Sequence, residues 1–312
     1  MSTVYIRFAA RPPLTLVRAP LLERLLARAE AEACESDWRA RAFRVIAPQA
    51  PMPAIATAAL GGHVQGRIGG WALLASPVHL VAGMSSVSMP VDGIIDLQPA
   101  EADLLVADFH RVFDGGGVRL VRGGTAPLVC LFDAPLCVTT IDPEEVLGQD
   151  IGEFMPRGAD SARLRGLMSE IEMWLFRHIV NERRSARSVR TISGLWLWGG
   201  GASDSSLPAV QGWAVGGDPL FAAFSGPAHF TGSCGSGVAV ITDWPGSAGW
   251  LDAEQNWLAP AAGELWSGRL QRLDLSAGRR CFCVSTRGML RFWRRPRPWW
   301  ESFGMRAVDG GD

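Results

Sequence analysis

The chain has 312 residues, is 48% hydrophobic and 20% charged, and carries a formal charge of −1. That composition excludes a disordered chain and a strongly polyanion-seeking one, and supplies enough apolar side chains for one large domain or two closely packed ones. All 30 basic residues are arginine, which excludes a Walker lysine, a Schiff-base lysine and a lysine general base.

The first residues lack the order of a secretory signal, and no apolar run reaches the roughly 18 residues of a membrane span. The expected setting is therefore cytoplasmic. Residues 20–33 place Leu21, Leu22, Leu25, Leu26 and Ala29 on one helical face, with Pro20 suited to the first turn. A second helix is expected over 37–46, followed by a loose Pro/Ala/Gly stretch over 47–70 that reads as a boundary.

Strands are expected at 71–74, 78–81 and 87–89. A helix follows over 98–113, carrying Ala102, Leu104, Leu105, Phe109 and Val112, and then a hairpin of 118–121 with 128–132 around Gly123-Gly124. From Leu164 the apolar positions Leu167, Met168, Ile171, Trp174 and Leu175 continue at helical spacing. Met173, Phe176, Ile179 and Val180 widen the stripe, so one long central helix buried on more than one side is expected. Its basic end leads into an apolar strand, Ile192 to Trp198, which Gly199-Gly200-Gly201 is expected to stop. Beyond it, strands are expected at 210–215 and 238–242, a short helix at 252–258 capped by Asp252, and a closing hairpin of 280–285 with 290–295. The expected fold class is mixed α/β: a long helix on mixed sheets with a strand-rich C-terminal part, divided as 1–68, 69–150 and 151–312.

The arginines at 183, 184, 187 and 190 either clamp a phosphate, whose oxygens match guanidinium forks, or solvate a helix end where the dipole favours cations. Asn181 contacts a ligand or closes the helix through its backbone. His178 is the best base candidate, against the alternative of a satisfied half-buried histidine. The six cysteines are scattered, with only Cys281 and Cys283 close together, and no zinc set is evident. Asp108-Phe109-His110 falls within a helix, where residues two apart do not face each other. Asp204-Ser205-Ser206 offers a serine beside a carboxylate in a loop. Arg291 to Trp300 interleaves arginine and tryptophan, which suits nucleic-acid backbone contact with base stacking or an interfacial membrane contact, against a terminal strand packed on the body or, next, a partner-protein surface.

The pattern His178-x-x-Asn181-x-x-Arg184-x-Ala186-Arg187, followed by Leu195-Trp196-Leu197-Trp198-Gly199-Gly200-Gly201, resembles the bacterial RpfE-type regulatory proteins, commonly labelled phosphoglycerate mutase-like. That label reflects a similar His-Pro-x-Asn … Trp-Leu-Trp-Gly-x-Gly stretch in archaeal-type cofactor-independent phosphoglycerate mutases. Here Ile179 stands where proline is usual, Ser188 replaces a glycine, Thr191 a proline and Ser193 an asparagine. The resemblance implies a regulatory protein that binds a phosphorylated metabolite or a protein without catalysis. Its implied ligand contacts are Asn181, Arg184, Arg187, Trp196, Gly199 and Gly201, with no metal. The alternative it implies is metal-dependent phosphoryl transfer, with manganese or magnesium entering only then. A protein partner is expected at Trp293, Arg294, Arg295, Trp299 and Trp300, and a nucleic-acid reading of that segment is the third alternative.

Overall fold

The computed structural model describes residues 2–8, 16–33, 37–61, 70–113, 115–203, 206–227, 229–230, 237–242, 250 and 253–305. Asp204, Ser205, Cys34, Cys234 and the Asp252 cap lie outside the described residues. β1 (Thr3–Phe8), α1 (Pro20–Arg28), β2 (Glu30–Glu32), α2 (Trp38–Ile46) and α3 (Ile55–Leu60) come first. β3 (Trp71–Val78), β4 (Val81–Ala82), β5 (Val87–Met89), α4 (Pro99–Val112), β6 (Val118–Val121), β7 (Val129–Phe132) and β8 (Gln149–Asp150) follow. α5 (Ser161–Phe176), α6 (Ile179–Ala186) and β9 (Gly194–Ala202) precede β10 (Trp213–Val215) and β11 (Val238–Thr242). α7 (Ala259–Trp266), β12 (Arg272–Ala277), β13 (Arg280–Ser285) and α8 (Trp299–Phe303) come last, and short helical turns, among them Glu254–Leu258 just before α7, lie between these elements.

The protein is mixed α/β, in two compact units: Met1–Met52 with Pro208–Asp312, and Pro53–Leu207. This partition does not follow the contiguous segments 1–68, 69–150 and 151–312. Its physical cause is β1, which pairs in parallel with both β11 and β12, joining Val4 to Val238 and to Leu273.

In the first unit the sheet order is β10-β11-β1-β12-β13-β2. β1 lies inside the sheet and is buried along Val4 to Phe8, as a parallel-paired strand covered on both faces must be. Its Arg7 guanidinium sits 4.2 Å from the centroid of the Trp38 ring and donates to the Gly278 carbonyl at 3.3 Å. α1 buries Leu22, Leu25 and Leu26 and starts at Pro20. α2 is capped by Asp37, whose carboxylate accepts from the N–H groups of Arg39 and Ala40. Buried Arg39 pairs with Asp218 at 2.9 Å, and Arg41 reaches both Glu32 and Asp274. The expected strand at 290–295 does not form. Both edges of β13 are already taken, by β12 and β2, and the chain leaves through a short 3-10 turn, Gly288–Leu290.

In the second unit an antiparallel sheet runs β6-β7-β3-β9, beside a small sheet β4-β5-β8. Strand alternation divides its two faces. Leu73, Cys130, Phe132, Leu195 and Leu197 face a cluster with Leu105 and Phe109 of α4 and Ile171 and Leu175 of α5. Ala72, Leu74, Val129, Leu131, Trp196 and Trp198 face a second cluster with Ala56, Ala59 and Leu60 of α3.

Two expectations fail here. The long helix breaks after Phe176 and restarts at Ile179, and Met173 and Phe176 are exposed rather than buried. The glycine triplet does not stop the strand, because β9 runs through it to Ala202. Its reason is packing: a Cβ on Gly201 would overlap the Ala54 Cβ, and one on Gly199, at φ +66°, would press on Ile55.

α6 ends with Ser188 at φ 54°, a left-handed conformation. The Val189 N–H donates to Arg184 O and the Ser188 N–H to Ser185 O, the paired bonds of a Schellman cap, whose left-handed position favours glycine. Left-handed backbone costs an L-residue ~1–2 kcal/mol, of which glycine's greater unfolded freedom returns ~0.4–1. Ser188→Gly is therefore expected to stabilise the protein by about 0.5–1 kcal/mol, read as a higher urea midpoint at unchanged slope. A lower midpoint overturns this account of the cap.

Candidate functional site

The break between α5 and α6 is made by His178. Its Nδ1 accepts from the Val180 N–H at 3.2 Å, capping α6. An accepting Nδ1 places the ring proton on Nε2, which donates to Asp108 Oδ2 at 3.1 Å. Asp108 also pairs with Arg111. Burial pushes the histidine below its usual pKa, while Asp108 works against that shift. In this geometry both ring nitrogens are engaged, and neither is free to take a substrate proton. Asp108 and His110 do not act as a pair, since His110 Nε2 turns to the Leu120 carbonyl at 2.8 Å.

One turn into α6, buried Asn181 uses its whole amide. Its Nδ2 donates to Leu175 O and to Ile192 O, and its Oδ1 accepts from Ile192 N–H, all at 2.8 Å. The side chain thereby ties the end of α5 to the segment entering β9.

Arg184 and Arg187 converge on Glu101 from α4. Glu101 is the acidic member of a capping box with Gln98, accepting the Gln98 N–H at 3.0 Å. The same carboxylate receives Arg184 Nη1 at 2.6 Å and Arg187 Nη2 at 3.0 Å. Arg184, with a side chain 6% exposed, also donates through Nε to Arg190 O at 2.7 Å. The Arg187 side chain is 56% exposed, and Arg183, one turn earlier, is exposed too. Arg190 pairs with Asp92.

The remaining nominated residues serve the sheet. Buried Trp196 donates its indole N–H to Ile141 O at 2.8 Å, and Gly199 and Gly201 admit α3. Of the two arginines among the implied ligand contacts, Arg184 is buried and Arg187 is more than half exposed. Glu101 is the residue that sequence reasoning missed. The signal for it was Gln98 followed three positions later by glutamate at a helix start.

Two hollows of about 510 and 410 Å³ lie along the turn between α4 and β6 and share Phe113 and Val118. Arg163 and Glu170 line the larger one, and Arg119 and Asp133, 3.7 Å apart, the smaller. None of the nominated residues lines either hollow. Among the described residues, no three His, Cys, Asp or Glu side chains are grouped to hold a metal ion. Of the described cysteines, Cys130 and Cys281 are buried, and burial pushes the Cys283 thiol up to about 12. The Cys283 thiol stays protonated at neutral pH and is a poor nucleophile.

Comparison with known proteins adds one relation. Over 121 residues the chain is 26% identical to a 2,3-bisphosphoglycerate-independent phosphoglycerate mutase of Methanothrix thermoacetophila. The chain is weakly similar to cofactor-independent phosphoglycerate mutases. The match takes in 37% of this chain and 30% of that relative's length. Among solved structures, the cofactor-independent phosphoglycerate mutase of Thermoplasma acidophilum aligns with a TM-score of 0.37 at 14% identity, covering 91% of this chain and 89% of its own. The PH0037 protein of Pyrococcus horikoshii aligns with a TM-score of 0.42 at 13% identity, covering 93% and 92%. No family model matches the chain.

Proposed function

We propose that the chain is a non-catalytic, phosphometabolite-binding relative of phosphoglycerate mutase with a regulatory role, like the RpfE-type proteins its α6–β9 pattern resembles. The observation that carries the reading is the arrangement of Arg187. Glu101 and the Arg183 carbonyl hold its guanidinium in place, while more than half of the side chain faces outward. Two guanidiniums share one carboxylate, so one positive charge of that group is left unbalanced. A phosphate offers the complementary oxygens, and guanidinium forks bind them in bidentate fashion. Arg183 provides a second cation a turn away. Arg184 and Asn181, whose groups are used internally, serve to hold the helix that presents Arg187. The engaged nitrogens of His178 support binding over phosphoryl transfer as the role of this helix.

The test is thermal unfolding with and without 3-phosphoglycerate, in manganese and in chelator. Binding to the native state adds about 2.7 kcal/mol at a hundredfold excess over Kd. The expected result is a metal-independent rise in Tm that Arg187→Ala removes, each variant being compared with its own ligand-free Tm. Absence of any shift overturns the reading. A shift that needs manganese favours the metal-dependent enzyme instead.

A further inference from the structure

The C-terminal segment of the first unit carries a feature that phosphometabolite binding does not use. Leu290, Phe292 and Trp293 are 59%, 79% and 66% exposed, and the Phe292 and Trp293 rings contact each other edge to face at 5.5 Å. Around them, Arg287, Arg291, Arg294, Arg295 and Arg297 occur with no acidic residue from Ser285 to Trp300. Arg291 is paired with Glu30 and Arg294 donates to the Ala29 carbonyl, which fixes the base of the segment. Arg287, Arg295 and Arg297 are exposed. Trp299, by contrast, is fully buried and donates its indole N–H to Val17 O at 2.8 Å. It anchors the segment and is no part of a contact surface, and Trp300 is only partly exposed.

We propose that this turn is a docking site for an anionic lipid surface, with Leu290, Phe292 and Trp293 entering the headgroup boundary and the arginines meeting lipid phosphates. Three side chains at one turn are a small apolar area beside the roughly 800 Å² per partner of a stable protein interface. A bilayer needs no shaped counterpart, and it rewards a small aromatic tip set among cations. The chain as a whole is slightly acidic, whereas this stretch concentrates five arginines with no acidic residue, so this turn faces the anionic surface.

The full chain is sedimented with vesicles of phosphatidylcholine alone and of phosphatidylcholine with phosphatidylglycerol, over a range of salt. Binding is expected with the anionic vesicles, weakening as salt rises, with a blue shift of tryptophan emission. The double variants Phe292→Ser with Trp293→Ser, and Arg295→Ser with Arg297→Ser, are each expected to weaken it by about tenfold or more. Both pairs are exposed, so unchanged thermal unfolding verifies that the fold is intact. Met173→Ser with Phe176→Ser, exposed in the other unit, is expected to bind as the parent does. No sedimentation, equal binding to neutral vesicles, or full binding by both segment variants overturns the proposal. Binding to single-stranded RNA or to a soluble protein in the absence of vesicle binding overturns it also.

Discussion

Glu101→Ala is expected to cost the second unit about 3–5 kcal/mol, the range for removing one partner of a buried ion pair. The carboxylate carries three bonds at once: it caps α4, neutralises Arg184 and steadies Arg187. Alanine leaves the Arg184 guanidinium buried, with only the carbonyls of Arg190 and Asp96 beside it. The cap alone accounts for ~1 kcal/mol, so most of the loss comes from the stranded charge. Glu101→Gln keeps an acceptor for the Gln98 N–H and removes the charge, and is expected to fall between the parent and alanine. Arg187→Ala is expected to cost less than about 1 kcal/mol, because its side chain is largely in water. Urea unfolding followed by far-UV circular dichroism, with hydrogen exchange at α4 and α6 amides, measures all three. A loss below 1 kcal/mol for Glu101→Ala, or a larger one for Arg187→Ala, overturns the ranking.

That hub shows where the sequence was legible and where it was not. The helices α2 and α4 and the strand β9 were readable within a few residues, because each signals itself through local periodicity. α1 starts at Pro20 as expected but ends at Arg28, where the expected helix to 33 gives way to β2 (Glu30–Glu32). The strand β1 was missed. Its pattern Val4-Tyr5-Ile6-Arg7-Phe8 is short and carries an arginine, and its partners lie more than 200 positions away. The domain division failed with it, since nothing local announces a sheet closed between the two ends of the sequence. The glycines of β9 read as a turn because their purpose, the close approach of α3, belongs to a different element. Likewise, periodicity across residues 164–180 could not show that His178 would cap a new helix, nor that Met173 and Phe176 lie on the exposed face of α5. For the site, the right neighbourhood was legible, but the roles were not. Arg184 looks like a phosphate ligand until Glu101, more than 80 residues earlier, is placed against it, and the same contact leaves Arg187 as the outward-facing member of the pair.

Asn181→Asp is the sharper test of how that neighbourhood works, because it changes almost nothing in shape. The native amide donates to two carbonyls and accepts one N–H. An aspartate keeps the acceptor, but sets a carboxylate oxygen against the carbonyls of Leu175 and Ile192 in a buried place, where an unpaired charge is costly. The expected loss at pH 7 is ~3 kcal/mol or more, adding the lost bonds to the desolvation of the charge. Burial and the facing carbonyls raise the variant's folded carboxyl pKa above the unfolded value of ~3.9. The charge penalty is thus present in full above the folded pKa and shrinks as pH falls toward ~3.9, where the protonated acid can donate one bond again. Asn181→Leu removes all three bonds without adding a titrating group, so its deficit relative to the parent should not change across that window. Both variants are followed by urea midpoint from pH 4 to 8. If Asn181→Asp is as stable as the parent at pH 7 yet loses the shift with 3-phosphoglycerate, Asn181 is a ligand contact and not the tie between α5 and β9. If both variants lose stability, while their folded fractions still shift with ligand, the binding surface lies outward of Asn181, at Arg183 and Arg187.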